Sequence, residues 1–160
     1  MLAKDAFKEV LFDTLGVGDR EWSRRLSGAS YALIFHATEE LLATQESCLV
    51  EGNFRWSENE ARFAALRRAQ PQARWLQIYC DAPTDLLIAR YRERVSKGAR
   101  HPGHVDAQAA PEVEAELRAF RGPLPIADLT LKFDSSTHDS GTGADLVRKI
   151  RAWIENPEQE

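Results

Sequence analysis

Ser47-Cys48-Leu49-Val50-Glu51-Gly52-Asn53 is the stretch where the periodicity of the chain changes, and its reading decides the fold. Up to Gln45 the apolar residues recur every three or four positions. Here they run without a break until a glycine–asparagine pair ends them, the pattern of a short buried strand. Two more such stretches lie downstream. Trp75-Leu76-Gln77-Ile78-Tyr79-Cys80 is apolar on both faces and ends at Asp81-Ala82-Pro83. Leu129-Thr130-Leu131-Lys132-Phe133 alternates, as a strand nearer a sheet edge does.

Helical stripes fill the intervals. Phe7, Leu11 and Leu15, widened by Val10, predict a helix from Ala3 to Leu15 that Gly16 stops. Trp22, Leu26, Ala29, Leu33, Ala37 and Leu41 predict a longer one from Arg20 to Gln45. Ser57-Glu58-Asn59-Glu60 matches a capping box and opens a helix with Phe63 and Leu66, closed at Gln70-Pro71. Asp85 to Lys97 buries Leu87, Tyr91 and Val95 and stops at Gly98. Residues 99–110 read as a loop, Pro111 as the start of a short helix bearing Val113, Leu117 and Phe120, and Arg121 to Pro125 as a second loop. Thr142 with Asp145 caps a last helix whose face is Leu146, Ile150, Trp153 and Ile154. Strands alternating with helices imply parallel strands joined by right-handed crossovers, an α/β layered domain.

Composition agrees with one globular domain. The 160 residues are 43% hydrophobic and 29% charged, with 21 Lys+Arg against 25 Asp+Glu and a net charge of −4. That balance opposes general nucleic-acid binding, which needs clustered cations. No apolar run approaches the ~20 residues of a membrane span, and charges from Lys4 onward interrupt any signal-peptide pattern. Cys48 and Cys80 sit in apolar runs without a CxxC, which predicts reduced thiols and a cytoplasmic setting. There is no internal repeat or linker, so residues 1–160 read as a single domain.

Parallel α/β sheets bind ligands at the carboxyl ends of their strands, which puts Glu51, Gly52 and Asn53, Asp81, and Asp134-Ser135-Ser136 at the expected site. A carboxylate at Glu51 could hold a metal-bound water or a substrate hydroxyl, or simply face solvent. Arg90, Arg94 and Lys97 share one helix face beside a glycine-containing loop; arginine forks match phosphate oxygens, though Glu93 could equally make this a solvated face. Asp5 at the start of the first helix suits the helix dipole, and ordinary capping explains it as well. His101 and His104 with Asp106 could ligate a metal but lack a third ligand at a recognised spacing. His36 and His138 have no evident partner. No GxxxxGK(S/T) loop occurs, and Gly141-Thr142-Gly143 is too short and lacks the lysine.

Taken together, Lys4-Asp5-Ala6-Phe7-Lys8-Glu9 running into Leu11-Phe12-Asp13-Thr14-Leu15-Gly16, then Val50-Glu51-Gly52-Asn53-Phe54, Arg90 through Arg94, and Arg100-His101-Pro102-Gly103-His104 resemble a group of bacterial P-loop small-molecule kinases. These are often labelled AAA-type ATPases and are related to chloramphenicol phosphotransferase and zeta-toxin kinases. The resemblance covers essentially the whole chain. It implies a three-layer P-loop fold, a parallel sheet with helices on both faces, and ATP-dependent phosphoryl transfer with Mg2+ to a small hydroxyl-bearing acceptor. By the same resemblance Asp5 is the acid beside the acceptor, and Glu51 stands next to the magnesium. Arg90 and Arg94 are lid arginines within a lid at about residues 90–120. Asn53, Arg100 and His101 belong to the substrate and nucleotide set, and Asp134 and Ser135 lie near the base. In that family a strand, a P-loop and a helix precede the Lys-Asp segment, with the strand central in the sheet. The expectation for residues 1–160 is therefore a sheet whose inner strand edges lack that partner, and ATP binding only with an upstream P-loop restored. The alternative is a non-catalytic remnant of such a kinase that serves as a binding module.

Overall fold

In a computed structural model of the chain, which describes residues 1–119, 122–137 and 140–156, helices and short parallel strands alternate as the periodicities predict. The elements are β1 (Leu2–Ala3), α1 (Lys4–Leu15), α2 (Arg20–Ala43), β2 (Val50–Glu51), α3 (Trp56–Ala69), β3 (Leu76–Asp81), α4 (Thr84–Lys97), a single 3-10 turn (Pro102–His104), α5 (Asp106–Arg118), β4 (Leu129–Asp134) and α6 (Ser140–Glu155). β1 pairs in parallel with β2, Ala3 opposite Glu51. β3 pairs in parallel with β4, Leu76 opposite Leu129 through Asp81 opposite Asp134. The two pairs form separate two-stranded sheets. The fold is thus mixed α/β with parallel strands, as expected, but the strands do not join into one sheet, and β1 is a strand the sequence reading did not foresee. Two residues are too few for a periodicity to show.

Several boundaries differ for local reasons. The strand expected from Ser47 shortens to Val50–Glu51, because only that stretch faces a partner. The capping box at Ser57–Glu60 is not used: α3 starts at Trp56, and its first turn is tied by Arg55 Nη1 donating to Glu58 Oε1 at 3.0 Å. Likewise Thr142 lies inside α6, where Asp145 pairs with Lys149 at 2.7 Å instead of capping. The loop expected over residues 99–110 is largely structured, since α5 begins at Asp106 and carries Pro111 within it. At the sixth position of α5 that proline forfeits the hydrogen bond to the carbonyl of residue 107, a loss the helix carries. Phe120, Arg121 and His138 fall outside the described residues.

The buried face of α2 is shifted by one position from the apolar stripe. Ser23, Leu26, Ser30, Ile34 and Thr38 are buried, whereas Leu33 is 41% exposed. Small hydroxyl residues let α1 pack closely, and their polar atoms are satisfied at short range: Ser30 Oγ donates to Ser27 O at 2.7 Å and Thr38 Oγ1 to Ile34 O at 2.8 Å. An aromatic cluster forms the main core. Phe35, Phe63 and Leu66 are buried and are covered by Phe54, Trp56, Trp75, Leu124 and Ile126. Phe63 meets Phe35 edge-on at 4.9 Å and Phe54 at 5.3 Å between ring centroids. This cluster joins α2 and α3 to the entry of β3, where Asp128 accepts from the Trp75 amide at 2.7 Å and from Arg67 at 2.6 Å. No helix among the described residues is long and apolar enough to cross a membrane.

A cation is buried between α1 and α2. The Lys8 residue is 4% exposed; its Nζ donates to Ser23 Oγ at 2.9 Å and lies 5.2 Å from the Phe12 ring centroid. Burial, and after it the neighbouring charge of Lys4, brings its pKa down to about 8 from the ordinary 10.5. From about pH 8 to pH 10 the unfolded chain therefore holds a proton the folded chain has released, and stability climbs with pH across that window. Tyr31, pushed up to about 12 by burial and then by Glu58, opposes the trend only above pH 10. Urea titrations from pH 7 to pH 10 should show the climb in the natural chain and its loss in Lys8→Met, which at pH 7 gains on the order of 1–2 kcal/mol. In the aromatic core, Phe63→Ala should cost roughly 3–5 kcal/mol in the same assay, while Val147→Ala on the open face of α6 should stay within about 0.5 kcal/mol.

Candidate functional site

The carboxyl ends of the two strand pairs carry two polar clusters. The first grows from the turn between β1 and α1. Ala3 ends β1 in extended backbone, and the chain turns straight into helix, so Lys4 and Asp5 project at the strand end beside Glu51 of β2. Lys4 is buried; its Nζ donates to Asp5 Oδ1 at 3.0 Å and lies 5.7 Å from the Tyr31 ring centroid. Asp5 Oδ2 accepts from Arg100 Nη2. Arg100 also reaches Asp106 Oδ1 at 3.1 Å through Nη1, and His104 Nδ1 at 2.9 Å. Burial pushes the Asp5 carboxyl up, but Lys4, Arg100 and His104 outweigh it and hold it below the usual carboxylate range. The result is a carboxylate that stays ionised at neutral pH, half-buried and aimed by two cations.

Gly52 allows this approach, since a Cβ there would sit 3.2 Å from Lys4 Cβ and 3.1 Å from the Phe54 ring. Asn53 faces Tyr31, whose hydroxyl donates to Asn53 Oδ1 at 2.8 Å. Glu51 ends β2 exposed. Among the described residues no three His, Cys, Asp or Glu side chains gather where a metal ion could be held, so a magnesium ion at Glu51 would depend on that single carboxylate and on oxygens from elsewhere. His104, 4% exposed, is not arranged as a ligand. Burial, then the charge of Arg100, lowers its pKa, so at neutral pH it is the neutral imidazole. Nε2–H donates to Glu9 at 3.1 Å, leaving Nδ1 to accept from Arg100. His101 has the same tautomer: Nδ1 accepts from the Gly103 amide at 3.1 Å, so Nε2–H donates to Asp13 at 3.1 Å.

The second cluster lies where β3 and β4 end in register. The Ser135 amide donates to Asp81 O at 2.8 Å, and its Oγ donates to the same oxygen at 3.0 Å. Arg90 of α4 donates to Ser135 O at 2.7 Å and to Ser135 Oγ at 3.3 Å. Asp134 is exposed; hydrogen bonding from Ser136, whose amide lies 2.8 Å from Oδ1, holds its carboxyl low. Arg90 is therefore fixed at the strand ends, where an arginine that serves a phosphate belongs. One helical turn on, Arg94 lies over the Tyr91 ring at 5.3 Å, and Arg92 is turned to Glu114 of α5 at 2.6 Å.

Of the residues singled out from sequence, the fold brings Asp5 together with Arg100, sets His101 on the same helix as Asp5, and joins Arg90 to Ser135. It does not bring Arg94 to either cluster. Lys4, Glu9, His104 and Asp106 complete the first cluster; the sequence set His104 and Asp106 beside His101 only as possible metal ligands and gave Lys4 and Glu9 no functional role. The signal available for them was helical spacing: Asp5, Glu9 and Asp13 stand one turn apart on α1, opposite a loop with one arginine and two histidines.

No protein-family model matches the chain, and no curated protein does. Among solved structures, the 1.70 Å crystal structure of a putative kinase from Chloroflexus aurantiacus superposes with a TM-score of 0.75. The two sequences are 34% identical over a match that covers 92% of this chain and 82% of that one. At that identity and coverage, the chain belongs to the family of this Chloroflexus kinase-like protein.

Proposed function

We propose that the chain carries the acceptor side of an ATP-dependent phosphoryl-transfer enzyme acting on a small hydroxyl-bearing molecule. The observation that carries this reading is the family relation to a protein described as a putative kinase, and the placement of Asp5 and Arg90 at strand carboxyl ends supports it. With ATP bound by the fuller chain, Asp5, held by Lys4, would accept a hydrogen bond from the acceptor hydroxyl and take its proton as that oxygen bonds to the γ-phosphorus and the bond to the departing ADP oxygen breaks. Arg90 offers guanidinium donors to the charge on the transferred group.

The phosphates of ATP fit these residues only in part. Residues 1–160 contain no GxxxxGK(S/T) loop, and Gly141-Thr142-Gly143 lies inside α6 with no lysine after it. A cradle of backbone amides would come from a strand–loop–helix segment paired between β2 and β3, which belong to different sheets. ATP binding is accordingly assigned to the chain together with that segment, and no step is routed through nucleotide bound by residues 1–160 alone.

Calorimetric titration tests the reading. Residues 1–160 should give no saturable Mg-ATP response up to about 1 mM, the upper end of ordinary substrate affinities. A form extended in frame by an upstream strand, GxxxxGK(S/T) loop and helix should bind Mg-ATP and turn it over with an acceptor. In that form Asp5→Asn should lower kcat by about 100-fold or more while ATP affinity stays within about twofold. Equal loss of affinity and rate would make Asp5 a structural cap. Binding without turnover would favour the non-catalytic binding module.

A further inference from the structure

The loop from Gly98 to Val105, between α4 and α5, lies along α1 and is fastened to it at three successive turns. Arg100 sits on Asp5, His104 on Glu9 at 3.1 Å, and His101 on Asp13 at 3.1 Å. Between these pairs Phe12, fully buried, is stacked on His101 at 5.2 Å and meets His104 edge-on at 5.6 Å. Gly103 rides directly over the same ring. A Cβ there would lie 2.6 Å from Phe12 Cδ1, so no larger residue permits this seat.

Both ends of the loop are in left-handed backbone, Gly98 at φ 56° and Val105 at φ 48° with ψ 44°. Glycine adopts this freely. For a β-branched residue it is a strained conformation that persists only where the surroundings impose it. Here the far side is anchored: the Tyr91 hydroxyl donates to Asp106 O at 2.8 Å, and Glu112 of α5 is held by Arg20 at 2.7 Å and by Arg24. With α5 anchored in this way, relaxation at Val105 would have to move the loop that carries Arg100.

We propose that residues 99–105 are a strained strap that parks Arg100 on Asp5, a self-contact that an acceptor must displace to use Asp5. The assignment rests on the reading of Asp5 as the acceptor-side acid. Arg100 has a second seat ready. Its Nη1 is already on Asp106, so it can leave Asp5 without losing its own charge partner. Release removes one of the contacts that hold Val105 in this backbone, which biases the strap toward opening once the Asp5 contact is exchanged for a ligand hydroxyl.

Amide hydrogen exchange on the unliganded 160-residue protein, read residue by residue by NMR, tests this. In Arg100→Gln the amides of residues 101, 103, 104 and 105 should exchange at least tenfold faster, and the Asp5 carboxyl carbon should titrate at higher pH than in the natural chain. In Val105→Gly, which removes the strain, the same amides should exchange at least threefold more slowly and Asp5 should titrate as before. Unchanged exchange in Arg100→Gln, or faster exchange in Val105→Gly, would overturn the strap; the second variant decides the matter should the first fail to fold. Neither readout involves nucleotide or turnover. Failure of the extended form to transfer phosphate would remove the kinase reading and leave the strap standing, while failure here would leave that reading intact.

Discussion

The ion pair between Arg100 and Asp5 joins parts of the chain 95 residues apart in sequence, and the arrangement of the first polar cluster depends on it. Without it the loop after α4 would be held to α1 by His101, His104 and the fit of Gly103 over Phe12. With it, the carboxylate at the end of β1, the buried Lys4 and the N-terminus of α5 form one connected group. Desolvation explains why so many charges are needed. Burial raises the Asp5 carboxyl and lowers the Lys8 ammonium, and each neighbouring charge that restores one of them costs solvation of its own. The loop contributes its cation at the strand end, where a fold of this kind does its chemistry.

Much of the architecture was legible in periodicity. α1, α4 and β4 lie within a residue of their expected bounds, and Gly98 stops α4 in the left-handed backbone a glycine cap requires. What periodicity missed is instructive. The buried face of α2 is set by Ser23, Ser30 and Thr38, residues that hydropathy places outside the core; they are buried because they are small and bond their own backbone or Lys8. α5 begins before Pro111, five residues earlier at Asp106, so the proline lies inside the helix and did not mark its start. β1, two residues long, is a strand only by virtue of β2, a tertiary fact with no local signal.

The candidate site was readable as residues but not as partnerships. Ser135 could be placed at a strand end from the α/β pattern, whereas Asp5 stood only at the start of a helix and Arg90 only on a helix face. That Arg100 would contact Asp5 depends on how the loop after Gly98 folds back on α1, whereas Arg94 over Tyr91 is a neighbour contact within α4. The histidines illustrate the same limit. An HxxH spacing in a loop is compatible with metal ligation, yet the fold turns His101 and His104 into donors to Asp13 and Glu9. Phe12, expected simply as part of a helix, proves to be the surface on which the loop is seated.

A double-mutant cycle between Asp5 and Arg100 tests the central claim most directly. Unfolding free energies of the natural chain, Asp5→Asn, Arg100→Gln and the double variant, measured at neutral pH in low and high salt, isolate the pair's coupling from each residue's separate losses. The account predicts a favourable coupling of about 1 kcal/mol or more that shrinks with salt. Additivity of the two substitutions to within about 0.3 kcal/mol in low salt would contradict it, because the contact on which the cluster is built would then hold nothing together.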